Sequence, residues 1–166
     1  MAGSTRLAQG QGYTVSDNQL TLTAAALTRL VGSRAYGTNA TIEARYSGEL
    51  PWQIYVTTYD SPVLSDATGS TSGLTLPTQY RGDQLATMEA TYADGSNAGP
   101  VHWSPYQELN VSFSPDYSGN GLLLTSDFLN ALRDHTQARL VFHFWSGATV
   151  TYHVTKNARA VTGTVV

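Results

Sequence analysis

The chain has 166 residues, of which 41% are hydrophobic and only 13% charged, with a formal net charge of −3 and no cysteine. That excludes a disulfide framework, a thiolate metal site and a Cys nucleophile, and the absence of clustered Lys or Arg argues against a nucleic-acid ligand. No apolar run reaches the ~18 residues of a membrane span, and the surplus of Thr, Ser, Gly, Asn and Tyr is a strand-and-turn composition.

In chain order, the opening Met1-Ala-Gly-Ser carries no apolar signal core and reads as an added start, so the chain is expected to be a fragment of a larger protein. An internal repeat then appears. Leu20-Thr-Leu-Thr-Ala-Ala-Ala-Leu-Thr-Arg-Leu30 aligns with Leu122-Leu-Leu-Thr-Ser-Asp-Phe-Leu-Asn-Ala-Leu132, and Ala40-Thr-Ile-Glu-Ala-Arg-Tyr46 with Ala138-Arg-Leu-Val-Phe-His-Phe144. Ser47-Gly48 matches Ser146-Gly147, and Trp52-Gln-Ile-Tyr-Val56 matches Val150-Thr-Tyr-His-Val154. Each copy reads strand, short helix, strand, hairpin tip, strand, with Thr23 and Thr125 as the helix N-caps.

The spacing predicts all-β architecture: two tandem antiparallel β-sandwich (immunoglobulin-like) domains. The first covers residues 1–66, the second 74–166, and the Gly/Ser/Thr-rich stretch 65–73 is expected to be a linker. Before its repeat the first unit has far fewer residues than the second. Either it is a smaller sandwich or it is incomplete at its N-terminus; incompleteness is favoured and would leave a strand edge for a neighbour, such as a second copy, to cover.

In the second unit Gln84–Tyr92 reads as a strand closed by Asp94-Gly95, and a long loop runs from Ala93 to Tyr106. Leu109, Val111 and Phe113 are expected to alternate inward on another strand. Residues 138–154 form a hairpin around Ser146-Gly147-Ala148. With Trp145 opposite Thr149, Leu140, Phe142 and Phe144 would face Val154, Tyr152 and Val150 on one apolar face, leaving His143 and Trp145 outside.

Several of these runs resemble a known family. Gly82-Asp-Gln-Leu-Ala-Thr-Met-Glu-Ala-Thr-Tyr-Ala-Asp-Gly95, Asn97-Ala-Gly-Pro100 with Trp103, and Phe142-His-Phe-Trp-Ser-Gly147 with Val150-Thr-Tyr152 resemble carbohydrate-binding module family 46, found at the C-terminus of bacterial family 5 β-glucanases. Gly12-Tyr-Thr-Val15, Leu22-Thr23, Tyr36-Gly-Thr-Asn-Ala40 and Tyr59-Asp-Ser-Pro-Val-Leu64 are similar to the Ig-like, X2-type module that precedes it. The resemblance implies a non-catalytic, extracellular module that binds mixed-linkage β-glucan, xyloglucan or cellulose. It further implies a covalently attached family 5 catalytic domain whose cleft a loop aromatic helps complete.

Sugar rings present flat C–H faces that match an aromatic plane, while polar side chains fix the hydroxyls. Trp103, in the loop between His102 and Ser104, is the leading candidate, against the alternative that it plugs a sandwich end. Trp145 follows, with packing against the loop or the other unit as its alternative; Tyr106 sits beside the loop, and His102, Asn97 and Asp94 are the expected polar contacts. Tyr117 is a lesser candidate, and Trp52 is expected in packing. His102, His135, His143 and His153 lack carboxylates at ligand spacing, and turn chemistry accounts for Asp94, Asn97 and Asp116, so neither a metal nor another cofactor is expected. No pair of carboxylates across a cleft, nucleophile elbow or phosphate loop is visible, which leaves no expectation of catalysis. The competing class is a structural Ig-like spacer, or a protein-docking or dimerising module, with no sugar site of its own.

Overall fold

The computed structural model describes residues 6–33, 35–48, 50–102 and 104–166. The chain is all-β with two short helices, and it divides into two units, Met1–Thr58 and Tyr59–Val166.

The first unit holds a hairpin of β1 (Tyr13–Ser16) and β2 (Gln19–Leu22), helix α1 (Ala24–Val31), and a hairpin of β3 (Gly37–Ala44) and β4 (Trp52–Thr58). The tip of the first hairpin is turned by Asp17 and Asn18, both at positive φ, a conformation that Asp and Asn tolerate better than other side chains. Thr23 caps α1, its hydroxyl accepting the Ala26 amide at 3.2 Å. On one face of the second hairpin Ala40, Ile42 and Ala44 stand opposite Val56, Ile54 and Trp52. Trp52, expected in packing, is 68% exposed. Among the described residues of this unit Ala26 is the one buried hydrophobic side chain.

The second unit contains β5 (Val63–Leu64), β6 (Ala67–Ser70), β7 (Leu74–Gln79), β8 (Leu85–Tyr92), β9 (Tyr106–Gln107), β10 (Phe113–Asp116), β11 (Gly121–Leu124), α2 (Ser126–Ala131), β12 (Gln137–Phe144), β13 (Thr149–Asn157) and β14 (Ala160–Val165). A four-stranded sheet, β10-β11-β7-β5, lies against a six-stranded one, β6-β14-β13-β12-β8-β9. Between them pack Leu74 and Leu76 of β7, Leu122 and Leu124 of β11, Met88 and Ala90 of β8, Leu140 and Phe142 of β12, and Tyr152 and Val154 of β13. Phe128 and Leu129 of α2 join that core. The alternation of apolar and polar residues along each strand thus puts one face of each sheet inward.

The repeat is longer in space than in sequence. The Gly10 amide bonds the Tyr13 carbonyl and the Gly12 amide the Ala8 carbonyl; one copy later, Asn110 bonds Phe113 and Ser112 bonds Glu108. Thr23 and Thr125 each donate their amide back to that turn, to Gly12 and Ser112. The copies therefore begin at Ala8 and Glu108, and β1-β2-α1-β3-β4 corresponds to β10-β11-α2-β12-β13. In the second copy β11 and β12 are also paired to β7 and β8; among the described residues β2 and β3 have no such second partner.

Three expectations are corrected. Residues 65–73 are not a linker: β6 pairs with β14, Ser65 donates to Pro77 and accepts the Tyr152 hydroxyl at 3.0 Å, and the unit boundary lies at Thr58/Tyr59. Gly69 within this stretch serves close approach, since a Cβ would stand 3.1 Å from the Gly73 carbonyl oxygen. Leu109–Phe113 is a turn with Asn110 at φ +66°, so Leu109 is exposed and the strand begins at Phe113. The 138–154 hairpin is shifted by two residues: Leu140 faces Tyr152 and Phe142 faces Val150. The Trp145 amide bonds Gln84 instead of Thr149, and Phe144 closes the tip on Ala148. A shift of two preserves parity, so each side chain keeps its predicted face.

Candidate functional site

The outward face of the six-stranded sheet is built from alternate residues of its strands, and Tyr106, Glu89, Val141 and Thr151 form one row across it. The next row toward the hairpin tip is Thr87, His143 and Thr149. Tyr106, on the edge strand β9, donates its hydroxyl to Glu89, a bond that raises its pKa above the usual phenol value. Its ring lies 6.4 Å from that of His143, whose Nε2 is 3.5 Å from Glu89 Oε1. A phenol, a carboxylate and an imidazole thus share one surface patch.

The loop before β9 is pinned at both ends. Ala98 is buried, its amide bonding Ala90 and its carbonyl accepting Gln107 Nε2 at 3.1 Å. Gly99, at φ +83°, lies against the Phe128 ring, where a Cβ would approach to 2.5 Å. Buried Ser112 donates to Gln107 Oε1 at 3.0 Å and lies 3.4 Å from His102 Nε2, while His102 Nδ1 is 3.4 Å from Glu108 Oε2. His102 is therefore tied into the loop's base by two partners. Trp103, the next residue, lies outside the described residues.

Asp94 and Asn97 follow β8 at one end of the sheet. Asp94 accepts from the Ser96 amide and hydroxyl and from Arg133 Nη1 at 3.0 Å, and these bonds, Ser96 first, pull its pKa down to about 2. The Arg133 guanidinium also sits 4.3 Å over the Tyr92 ring, so the carboxylate belongs to an internal clamp. Asn97 is half-buried and bridges Thr91.

Trp145 stands at the opposite end, 75% exposed. Its tip is held by Asp83, only 5% exposed, which accepts the Ser146 amide at 3.2 Å, the Ser146 hydroxyl and the Gln84 amide at 2.8 Å. Along β12 the two ends are separated by about 20 Å, because Ala138 pairs with Tyr92 and Phe144 with Leu85. The five described residues among those singled out from sequence thus do not converge on one pocket. His102 and Tyr106 belong to the loop and its edge strand; Asp94 and Asn97 lie at one end and Trp145 at the other.

Sequence reading passed over Glu89, His143 and Asp83 as participants. Glu89 was detectable as an acidic residue in a strand whose neighbours of opposite parity are apolar, and His143 from its outer-face parity beside Trp145. Asp83 had no such signal, because Ser146, 63 positions away, is joined to it only by tertiary folding.

A family model described as a carbohydrate binding domain, CBM46, matches residues 60–164, nearly the span of the second unit. Endoglucanase B of Paenibacillus lautus is 42% identical over 160 residues, 96% of this chain and 28% of that protein. Among solved structures, the full-length tri-modular endo-β-1,4-glucanase B (Cel5B) of Bacillus halodurans superposes with a TM-score of 0.91 at 41% identity, covering 97% of this chain and 30% of that one. The family 46 carbohydrate-binding module of the same enzyme, solved alone, is 45% identical with a TM-score of 0.61, covering 64% of this chain and all of that one. The chain spans less than a third of the full-length relatives and corresponds to their accessory, non-catalytic part.

Proposed function

We propose that this chain, which belongs to the CBM46 family of carbohydrate-binding domains, binds β-glucan by stacking exposed aromatic rings on sugar faces. The ligands are mixed-linkage β-1,3-1,4-glucan, xyloglucan or cellulose. The observation that carries the reading is Trp145: an indole three-quarters exposed on a tip whose backbone is fixed by a buried carboxylate. A large apolar ring held in water on rigid backbone has little to gain from the fold and much to gain from a ligand. Trp103, Tyr106 and His102 supply the loop side of the surface, and Asn97 and Asp94 are polar contacts for a longer glucan reaching the far end of the sheet.

In the native protein the module acts beside a covalently attached family 5 endoglucanase outside the cell. Few stacking contacts must offset the ordering of loop and ligand, so the isolated chain binds weakly and attachment raises its effective affinity. Affinity gel electrophoresis on barley β-glucan, xyloglucan and soluble cellulose derivatives, with wild type against Trp103→Ala, tests this. Retardation that Trp103→Ala diminishes supports the reading; a wild-type chain that migrates unretarded on every glucan ends it.

The exposure of Trp52 and Tyr55 in the first unit favours a second reading, in which that unit is a structural spacer that pairs with a second copy of the chain. Size-exclusion chromatography at micromolar concentration separates the two: a monomer removes the second reading.

A further inference from the structure

The turn of residues 117–120 between β10 and β11 comes to the same end of the sandwich as the Trp145 tip. The peptide joining Gln84 to Leu85 is bonded on both sides. Its carbonyl accepts the Trp145 amide at 2.9 Å, and its N–H donates to the Tyr117 hydroxyl at 3.2 Å. The Trp145 amide and the Tyr117 hydroxyl are therefore no more than about 9 Å apart. Tyr117 is 44% exposed and is braced from within by Tyr80, ring centroids 4.6 Å apart at 61°, while the Tyr80 hydroxyl donates to the Gly121 carbonyl at 2.8 Å.

Two rings are thus presented by rigid backbone on either side of the Gln84–Leu85 peptide, and Gln84 is exposed. The nearby carboxylates are already engaged, Asp83 by Ser146 and Gln84, Asp116 by Ser118 and Gly119. What remains for a ligand is two apolar planes and an amide that both donates and accepts, which suits a neutral pyranose with paired hydroxyls and no charge. Tyr106 lies level with Glu89, four residues along β8 from Leu85, about 13 Å away.

We propose that Trp145 and Tyr117, with the exposed Gln84 beside them, form a second glucan-binding station at the hairpin-tip end of the sandwich, separate from the loop side that carries His102 and Tyr106. The proposal rests on the glucan-binding reading above. Both stations engage stretches of one polysaccharide chain, so losses at the two stations multiply.

The test is affinity electrophoresis of the full chain on barley β-glucan with Trp145→Ala, Tyr117→Ala, Tyr117→Phe and Trp103→Ala, and with Trp145→Ala in the Trp103→Ala background. Trp145→Ala and Tyr117→Ala are each expected to weaken binding about five- to ten-fold, and Trp145→Ala by the same factor with or without Trp103→Ala. Tyr117→Phe keeps the ring but drops the bond to Leu85, and is expected to bind like wild type. If it weakens binding as much as Tyr117→Ala, the ring is not a contact and the proposal is overturned. Retardation unchanged by Trp145→Ala and Tyr117→Ala but lost with Trp103→Ala overturns the second station and leaves glucan binding standing, whereas an unretarded wild type overturns both.

Discussion

The buried carboxylate of Asp83 holds Ser146 across 63 positions of chain, accepting its amide at 3.2 Å and its hydroxyl as well. The same carboxylate caps the start of β8 through the Gln84 amide, so one side chain sets the relation between that strand and the tip that carries Trp145. Replacing Asp83 with Ala leaves both amides without their acceptor at a nearly closed site. The expected cost is about 2–3 kcal/mol, read as a lowered urea midpoint, whereas Ser146→Ala, which keeps the two amide bonds, is expected to cost about 1 kcal/mol.

Gly99 and Gly163 test whether the sandwich has room. A Cβ at Gly163 would lie 2.4 Å from the Tyr152 ring, and one at Gly99 2.5 Å from the Phe128 ring with φ at +83°. Gly163→Ala is expected to destabilise by about 1–3 kcal/mol through overpacking. Gly99→Ala should cost more, since backbone strain adds to the clash. Thermal unfolding of both variants checks the order.

Burial lifts the Tyr152 hydroxyl to about 12 from its ordinary 10.0, with Asp66 adding to the effect, and Tyr80 moves the same way for the same chief reason. A folded-state pKa above the unfolded one means that the unfolded chain loses its proton first as pH rises. Stability from these phenols is therefore fully present below about pH 10 and is lost as pH rises above it, for Tyr152 between about pH 10 and 12. Urea midpoints across that range should fall for wild type and fall less steeply for Tyr152→Phe.

The two units differ in how much apolar surface they bury. The second unit encloses residues of both sheets and α2; the first, among its described residues, has one buried hydrophobic side chain, Ala26. Amides of β1 to β4 are expected to exchange with deuterium well before those of β8, β12 and β13. Equal protection in both units would contradict this.

Residues that act through chain-local physics were legible in the sequence. Thr125 accepts the Phe128 amide as the N-cap that its position announces, just as Thr23 does for Ala26. The faces of β12 and β13 followed from alternation alone, which is why Leu140 and Phe142 are buried and His143 is not, even though the predicted register was off by two. The family, too, was legible, because its motifs are continuous runs such as Phe142-His-Phe-Trp-Ser-Gly147.

What folding alone decided is where distant segments meet. Residues 65–73 look like a linker by composition, yet β14 offers Ala67–Ser70 a full set of backbone partners, and no local signal encodes a pairing with residues 160–163. Asp94 and Trp145 both look like loop-borne contacts, but antiparallel pairing of β8 with β12 sends them to opposite ends of one sheet. Tyr117, read as a lesser loop tyrosine, is brought to Trp145 by a single shared peptide, Gln84–Leu85. Local chemistry determined which residues point outward; only the sheet pairings, being long-range hydrogen bonds, decided which of them share a surface.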